Sequence, residues 1–234
     1  MKPIFKQRAL LGGILFAALS STAPAAMIFV DFGRTDNQTT GNYNNVHGAA
    51  SVLATPSLDL IDSAGAATGV KLNTDFALGG SFAGTGADYS DAYPAGVADQ
   101  PSAALIDSMF IRAAASTSLT LADLDSGSSY EIVIYGARGN NGGANTEWTL
   151  TDGNGSSTAG YDVFNNSTNV ATFSSLVPDE SNEISIFYTT TDDGSRPRGA
   201  INFMQITSTP VPEPSSSLFL MLSSGVLLVR RRKN

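Results

Sequence analysis

Three residue types that often build active sites and cross-links are scarce in this chain of 234 residues. It holds no cysteine, one histidine and one tryptophan. The absence of cysteine excludes disulfide bonds, cysteine nucleophiles and thiolate metal sites. The lone histidine, His47, excludes multi-histidine metal centres. Because it follows an asparagine-rich stretch, we expect His47 to lie in a loop, and Trp148 to lie in a strand as part of the core.

Charged residues are also few, at 15% of the chain against about 25% in an ordinary soluble domain. Residues 27–210 hold 20 of the 21 acidic residues but only 6 of the 13 basic ones. An acidic body of this kind repels phosphate backbones, so we expect no nucleic-acid partner. The scarcity of glutamate, lysine and arginine argues against long surface helices and, with 23 glycines, favours a turn-rich β protein.

The N-terminus has the three parts of a secretory signal peptide. Lys2, Lys6 and Arg8 precede an apolar run at residues 10–19, and an A-x-A-like cleavage site follows at residues 23–25. This order predicts export and removal of residues 1–25, which would form a signal-peptide helix.

The C-terminus, residues 210–234, combines a Pro-Glu-Pro sequence, a short apolar run at 218–229 and a basic end. It resembles the PEP-CTERM sorting signal, which implies processing by an exosortase and export machinery. The resemblance also implies a hydrophobic helix anchored transiently in the inner membrane, with delivery to the cell surface or outside the cell. The sorting motif comprises Val211, Pro212, Glu213, Pro214, Arg230, Arg231 and Arg232.

Between these ends, residues 26–209 form a body of short apolar or alternating runs separated by glycine, asparagine, aspartate and serine. Strands at such spacing with few helices predict an all-β domain, a β-sandwich or jelly roll. We expect residues 34–45 and 79–101 to be long loops. The predicted strands are residues 27–33, 103–112, 118–121, 130–136, 146–151, 183–188 and 200–206.

The body also contains the pattern L-x-x-L-x-x-G-x-x-Y at residues 121–130. We expect one strand to end there, the chain to turn at the glycine, and the next strand to begin near the tyrosine. With the V-D-F-G sequence at the start and A-I-N-F-M-Q-I at the end, the body resembles galactose-binding-like β-sandwiches. This resemblance implies carbohydrate binding as one function to test.

Catalytic motifs are missing from the chain. It has no G-x-S-x-G elbow, no P-loop, no dinucleotide-binding fingerprint and no metalloprotease helix, so we expect no enzymatic activity. Calcium is the best candidate for a cofactor, since acidic turns with glycine supply oxygen ligands. The alternative is that each aspartate stabilises its own turn, which is the interpretation we favour. The weak candidates for calcium ligands are Asp123, Asp125, Asp152, Asp192 and Asp193.

Carbohydrate binding would need an aromatic side chain flanked by hydrogen-bonding groups. The candidate residues are Asn42, Tyr43, Asn44, Arg138, Asn140 and Asn141, with Tyr89 and Tyr93 in a second loop.

Three functions follow, in decreasing order of preference. The first is an exported, non-catalytic protein of the cell surface or extracellular matrix. The alternative is an exopolysaccharide-binding module, with or without calcium, and a glycan-active enzyme is the least favoured.

Overall fold

The computed structural model describes residues 25–49, 52–53, 57–75, 81–84, 93–112, 116–138, 145–190 and 198–211. They belong to one compact unit, Pro24–Val211. The strands of the described residues are β1 Ala26–Arg34, β2 Asn44–Ala49, β3 Val52–Leu53, β4 Ser57–Ile61, β5 Ala67–Asp75, β6 Ser81–Gly84, β7 Asp107–Arg112, β8 Ser116–Ala122, β9 Ser128–Tyr135, β10 Asn145–Asp152, β11 Gly155–Asp162, β12 Ala171–Leu176, β13 Ile184–Thr190, β14 Arg198–Ile201 and β15 Phe203–Pro210, with one short helix, α1 Ala103–Ile106.

Two six-stranded sheets carry most of the structure. Sheet A has the order β12-β9-β15-β1-β2-β3, and sheet B has the order β11-β10-β13-β8-β5-β4. A smaller sheet C joins β14, β7 and β6. Most neighbours are antiparallel, but β1 and β2 are parallel. The predicted all-β sandwich is therefore confirmed.

The core lies between sheets A and B, as the alternation of the strands requires. In β13, Ile184, Ile186 and Tyr188 are buried while the residues between them point outwards. Trp148 in β10 is fully buried, which confirms its predicted place in the core. Other members of this core are Ile28, Val30, Phe32, Leu72, Leu119, Leu121, Ile132, Ile134, Leu150, Met204 and Ile206.

The turn between β8 and β9 follows the predicted L-x-x-L-x-x-G-x-x-Y pattern. Leu121 and Leu124 are buried, Gly127 lies in the turn and Tyr130 is buried in β9. The backbone N–H of Asp125 donates to the Tyr130 hydroxyl at 2.8 Å. The tyrosine thus ties the start of its own strand to the end of the preceding turn.

One predicted strand, residues 103–112, is partly wrong. Its first four residues form α1, which begins after Ser102, whose carbonyl accepts from the N–H of Ile106 at 3.0 Å. Only Asp107–Arg112 is a strand. A short apolar run without alternation is compatible with a helix or with a strand. The sequence alone therefore could not distinguish α1 from the start of a strand.

Another predicted strand, residues 200–206, is two strands in different sheets. β14 pairs with β7, whereas β15 pairs with β1 and β9. The break is Asn202, which is fully buried. Its Oδ1 accepts from the N–H of Ala137 at 2.7 Å, and its Nδ2 donates to the carbonyl of Leu105 at 2.8 Å. These bonds satisfy groups that a continuous strand would leave unpaired.

The predicted loops are shorter than expected. β1 continues to Arg34 and β2 begins at Asn44, so the intervening loop is residues 35–43. His47 lies within β2 and not in a loop, which corrects the expectation for this residue. Residues 79–101 contain strand β6, Ser81–Gly84.

A second hydrophobic cluster covers the outer face of sheet A. The segment 93–106 packs against side chains that point away from the main core, so sheet A is buried on both sides there. Its fully buried members include Leu105, Tyr135 and Phe203, and Phe29 packs beside them. The rings of Phe29 and Phe203 are 5.9 Å apart between centroids.

The terminal segments fall almost entirely outside the described residues. The predicted signal-peptide helix, the C-terminal helix and the sorting motif apart from Val211 are among them. In the part of the chain that the structure describes, no helix has the length and apolar character needed to cross a membrane.

Candidate functional site

Two of the predicted carbohydrate-binding residues hold the edge of the sandwich together. Asn44 is buried, and its Nδ2 donates to the carbonyls of Phe29 and Ile61, both at 2.9 Å. The N–H of Ile61 returns a bond to Asn44 Oδ1 at 2.9 Å. Asn42 donates to the carbonyl of Ser63 at 3.0 Å. Both asparagines therefore connect the 35–43 loop and β2 to the β4 region of sheet B.

Tyr43 lies between them and packs on the covered face of sheet A. Its ring stacks on Phe29 at 5.4 Å between centroids, and its hydroxyl donates to Gln100 Oε1 at 2.8 Å. Partial burial raises the pKa of Tyr43, and the nearby charge of Asp31 adds to the effect. These contacts engage both the ring and the hydroxyl within the protein.

Arg138, the third predicted position, lies just beyond the end of β9. It is buried, and its guanidinium carbon is 4.0 Å from the centre of the Phe110 ring. Its backbone forms a bridge with Phe164, and its N–H donates to the carbonyl of Val163 at 2.7 Å. Because β15 and β1 separate β9 from β2, Arg138 is not brought to the 42–44 segment. Asn140, Asn141 and Tyr89 lie outside the described residues.

The acidic turn at residues 123–127 uses its carboxylates internally. Asp125 accepts from the N–H of Gly127 at 3.0 Å and from the hydroxyl of Ser128 at 2.8 Å. The bond from Gly127 lowers the pKa of Asp125. Asp123 pairs with Lys71 at 2.6 Å. Both carboxylate oxygens of Asp125 therefore bond groups of their own turn, whereas Asp123 is bound to a lysine of β5.

Asp152 behaves in the same way. Its Oδ1 accepts from the N–H of Asn154 at 2.9 Å, and its Oδ2 accepts from the N–H of Val177 at 2.9 Å. Asp192 and Asp193 lie outside the described residues. Within the described residues, no three acidic, histidine or cysteine side chains come together as a metal-binding group.

The open side of the sandwich is the outer face of sheet B. Alternate residues of β8, β10 and β13 enter the core, and β11 pairs in register with β10, so the residues between them point to solvent. We call the following set the hydroxyl face: Ser116, Ser118, Thr120, Thr149, Thr151, Ser156, Thr158, Ser185, Phe187 and Thr189.

Strand register arranges the hydroxyl face in rows that cross the sheet. One row joins residues of six neighbouring strands, in the order Ser156, Thr151, Ser185, Thr120, Asn73 and Ser57. Neighbouring strands lie about 4.8 Å apart, so the row offers polar groups at regular intervals. Side-chain bonds link Thr151 to Ser156 at 2.9 Å and Ser57 to Asn73 at 2.7 Å.

The adjacent row contains the aromatic residue of this face. Phe187 is 45% exposed, and its register partners are Thr149 on one side and Ser118 on the other. The hydroxyl of Thr149 in turn bonds Thr158 at 3.0 Å. An exposed ring among hydroxyl groups can stack on the apolar face of a sugar ring while the hydroxyls bond its substituents.

Charge on the four strands that carry the hydroxyl face is sparse and of one sign. On β8, β10, β11 and β13, all fully described, the outward positions include Glu147 and Asp162 but no basic residue. Lys71 of the neighbouring strand β5 lies on the same side of sheet B, but it is paired with Asp123 at 2.6 Å. A neutral polymer would therefore meet no electrostatic penalty on these four strands, whereas an anionic one would meet only acidic side chains.

The row through Ser156 ends at a shallow polar pocket between the edge strands β11 and β12. Its volume is about 230 Å³. The residues that line it are Asp152, Asn154, Gly155, Ser156, Ser157, Ser174, Ser175 and Leu176. The polar surface therefore continues around the edge of the sandwich.

Phe187 was not among the residues singled out by sequence reasoning, although the strand around it was predicted. The alternation of apolar and polar positions in β13 already indicated that Phe187 is exposed. Ile184, Ile186 and Tyr188 occupy the apolar phase of β13, so Phe187 is a large apolar residue in the polar phase. An aromatic side chain at an outward position of a strand either contacts solvent or is covered by a ligand or another part of the chain.

Comparison with known proteins returned structural similarities only. No protein-family model and no curated protein sequence matches the chain. A CBM61 module solved with β-1,4-galactotriose shares 13% identity over 59% of this chain and 88% of its own, with a TM-score of 0.35. A CBM36 domain of a xylanase from the hindgut metagenome of Trinervitermes trinervoides shares 13% over 58% and 95%, with a TM-score of 0.30.

A family 32 module of NanJ from C. perfringens, solved with galactose, shares 16% identity over 55% of this chain and 93% of its own, with a TM-score of 0.29. All three are carbohydrate-binding modules. Similarity of this extent does not assign their ligands to this chain.

Proposed function

We propose that the protein is a non-catalytic module that binds neutral polysaccharide through the hydroxyl face. The observation that carries the proposal is Phe187, a half-exposed ring set between Thr149 and Ser118 in a row of hydroxyl groups. Sheet B exposes this face to solvent, whereas the corresponding face of sheet A is covered.

The chemistry of a neutral sugar polymer matches what this face offers. A sugar ring has an apolar face and a rim of hydroxyls, so it needs one aromatic surface and several donors and acceptors. Serine and threonine hydroxyls supply both, because each donates once and accepts twice. The lack of basic residues on β8, β10, β11 and β13 supports a neutral ligand.

The expected affinity is modest and depends strongly on the ring. Covering the exposed half of Phe187 would contribute about 1 kcal/mol, and each hydroxyl bond about 1 kcal/mol at most. Binding along a polymer would gain further from several sugar units contacting the same rows.

We also propose that the protein acts outside the cell. This follows from the sequence of residues 1–25 and 210–234 alone, and both assignments stay predictions. Their test is intact-mass analysis of the protein recovered from outside its host cell. Loss of residues 1–25 and cleavage near Pro212 would support the proposal, and retention of the Arg230–Arg232 end on the extracellular form would contradict it.

Affinity electrophoresis of the full-length protein in native gels tests the binding proposal. The gels would contain neutral galactan, xylan or β-glucan. We expect at least one of these polymers to retard the protein, and Phe187→Ala to weaken the affinity for it roughly fivefold. The matched control is Phe164→Ala, since Phe164 is 44% exposed but lies beside Arg138, away from the hydroxyl face.

Two results would contradict the proposal. One is equal retardation of wild type and Phe187→Ala, and the other is a loss in Phe164→Ala as large as that in Phe187→Ala.

A further inference from the structure

The edge strand β11 of sheet B differs from the other edge strands of the two main sheets. β3 has only two residues, and β4 and β12 are each interrupted by a register shift. β11 has eight residues, and all of them pair with β10 without a shift. Short strands and bulges are two ways in which natural sheets stop their edges from pairing with other chains. β11 has neither.

The sequence of β11 also lacks the side chains that usually protect an edge. Gly155–Asp162 holds no proline, lysine or arginine, and its one charged residue, Asp162, lies at the end. Six of the eight residues are exposed. In the described part of the chain, sheet B ends at β11 with no strand on its other side. The backbone groups that face away from β10 are therefore open to a partner.

The pairing with β10 shows which backbone groups these are. A Cβ on Gly160 would meet the carbonyl oxygen of Thr146 at 2.7 Å, so this carbonyl points to β11. Thr146 is the register partner of Tyr161, and the residues of an antiparallel strand alternate between bonding one neighbour and facing the other side. Tyr161 and every second residue before it therefore bond β10. The residues that face the open edge are Ser156, Thr158, Gly160 and Asp162.

Charge restricts where a second copy of this acidic chain can approach. Residues 27–210 hold 20 acidic residues against 6 basic ones, so two copies repel each other over most of their surface. β11 contributes a single carboxylate, that of Asp162. If two copies of β11 pair antiparallel with Asp162 of each opposite Ser156 of the other, the two carboxylates lie about 20 Å apart. The edge is thus a place where a second copy meets little repulsion.

We propose that β11 pairs antiparallel with β11 of a second copy of this chain, with Ala159 beside the two-fold axis. In this register Thr158 of each copy lies opposite Gly160 of the other, so all four edge-facing residues find partners. An antiparallel strand offers its donors and acceptors in the order that an identical strand, related by a two-fold axis, requires. About eight backbone hydrogen bonds would form. Because such an interface is small, we expect a transient dimer with a dissociation constant of about 1–100 μM.

The pairing would join sheet B of both copies into one sheet of twice the width. The two-fold axis between antiparallel neighbours is perpendicular to the sheet, so both hydroxyl faces point the same way. The two Phe187 rings would lie about 24 Å apart across five strand spacings. Two binding surfaces on one side would raise the avidity for a polymer. This consequence rests on the proposed polysaccharide binding, whereas the pairing itself does not.

Sedimentation equilibrium of the full-length protein tests the pairing in the absence of any sugar. Wild type should dimerise over about 1–100 μM. Thr158→Pro removes an edge-facing N–H and leaves the bonds to β10 in place, so it should weaken the dimer about tenfold or more. Thr158→Val is the matched control. It loses the same hydroxyl but keeps the N–H, and should dimerise as the wild type does.

Cysteine cross-linking tests the register and does not depend on the folding of the proline variant. The chain has no cysteine, so Ala159→Cys introduces a single thiol. The Cβ atoms of the two facing residues would lie about 5 Å apart, and mild oxidation should link most of the protein as a disulfide dimer. Asn154→Cys, in the exposed turn before β11, is the control and should remain largely monomeric.

Three outcomes would overturn the proposal. They are a wild type that is monomeric at about 100 μM, a Thr158→Pro variant that dimerises as strongly as Thr158→Val, and cross-linking of Asn154→Cys as fast as that of Ala159→Cys. Because no sugar is present in these experiments, a failure of polysaccharide binding would leave their results unchanged, and the two proposals can fail separately.

Discussion

The outer face of sheet A is covered by another segment of the chain, whereas the outer face of sheet B is open to solvent. On sheet A, Phe203 points outwards from the main core and is nevertheless fully buried, because segment 93–106 lies over it. On sheet B, Phe187 occupies an equivalent outward position and is 45% exposed. The same residue type therefore serves packing on one face and remains available to a ligand on the other.

The comparison shows how cover changes chemistry. Beneath the cover, polar groups lose water, so Asn202 must bond the backbone, and burial raises the pKa of Asp31 and of Asp107. On the open face, Ser and Thr side chains bond one another and solvent without such penalties. Substitutions on the covered face should therefore change mainly the free energy of unfolding, and substitutions on the open face should change mainly polysaccharide binding.

The largest expected effect is the difference in stability between alanine variants of the two phenylalanines. Phe203→Ala removes a fully buried ring and should lower the free energy of unfolding by about 3–5 kcal/mol. Phe187→Ala removes a half-exposed ring and should lower it by less than about 1 kcal/mol. Urea denaturation of both variants measures the difference, and equal losses would mean that the faces do not differ as described.

Asn202→Ala should come next. It would leave the N–H of Ala137 and the carbonyl of Leu105 without partners under the cover, at a cost of about 2–4 kcal/mol. Asn73→Ala, on the open side, should cost no more than about 0.5 kcal/mol. Urea midpoints give both values, and faster exchange of the Ala137 amide in Asn202→Ala would locate the damage.

The free energy of unfolding should depend on pH because a buried carboxyl group on the covered face, Asp31, titrates. Burial raises the pKa of Asp31 to about 7, with Thr39 opposing and Asp107 adding to the shift, while Tyr43 also faces the group. A raised carboxyl pKa means that the folded state holds the proton more tightly than the unfolded state does. Stability should therefore fall by about 2 kcal/mol between about pH 5 and 7.

The matching variant is Asp31→Asn, in which most of this slope should vanish. Urea titrations at each pH measure it. A wild-type stability that is constant or rises over this interval would contradict the raised pKa of Asp31.

The smallest effect should belong to single hydroxyls of the open face. Thr151→Val removes the bond to Ser156 and should change the free energy of unfolding by no more than about 0.5 kcal/mol. Binding of neutral polysaccharide should weaken by roughly three- to fivefold, as the loss of one hydrogen bond implies. Affinity gels measure the binding of this variant, and urea denaturation measures its stability. A loss of stability without a loss of binding would contradict the proposed difference between the two faces.

Much of the fold was predictable where burial leaves a strong pattern. The strands around Trp148 and Tyr130, and the turn at Gly127, follow from alternation and turn chemistry. β11, by contrast, was not predicted, because Gly155–Asp162 is an exposed edge strand with almost no apolar phase. Its pairing with β10 replaces the missing hydrophobic signal.

The candidate sites were harder to predict for a related reason. Asn42, Asn44 and Arg138 have the chemistry of ligand-binding residues, but local sequence does not show whether the fold will use that chemistry internally.

By itself, the sequence determined the all-β class, the alternation that buries one face of each strand, and the acidic, hydroxyl-rich character of the surface. These properties depend on residue type and spacing of two, which are local. Only the tertiary structure decided that sheet A would be covered, that the chain would change sheets at Asn202, and that Phe187 would remain exposed. Those outcomes depend on which distant segments meet, because burial is a property of the packed chain and not of any single stretch.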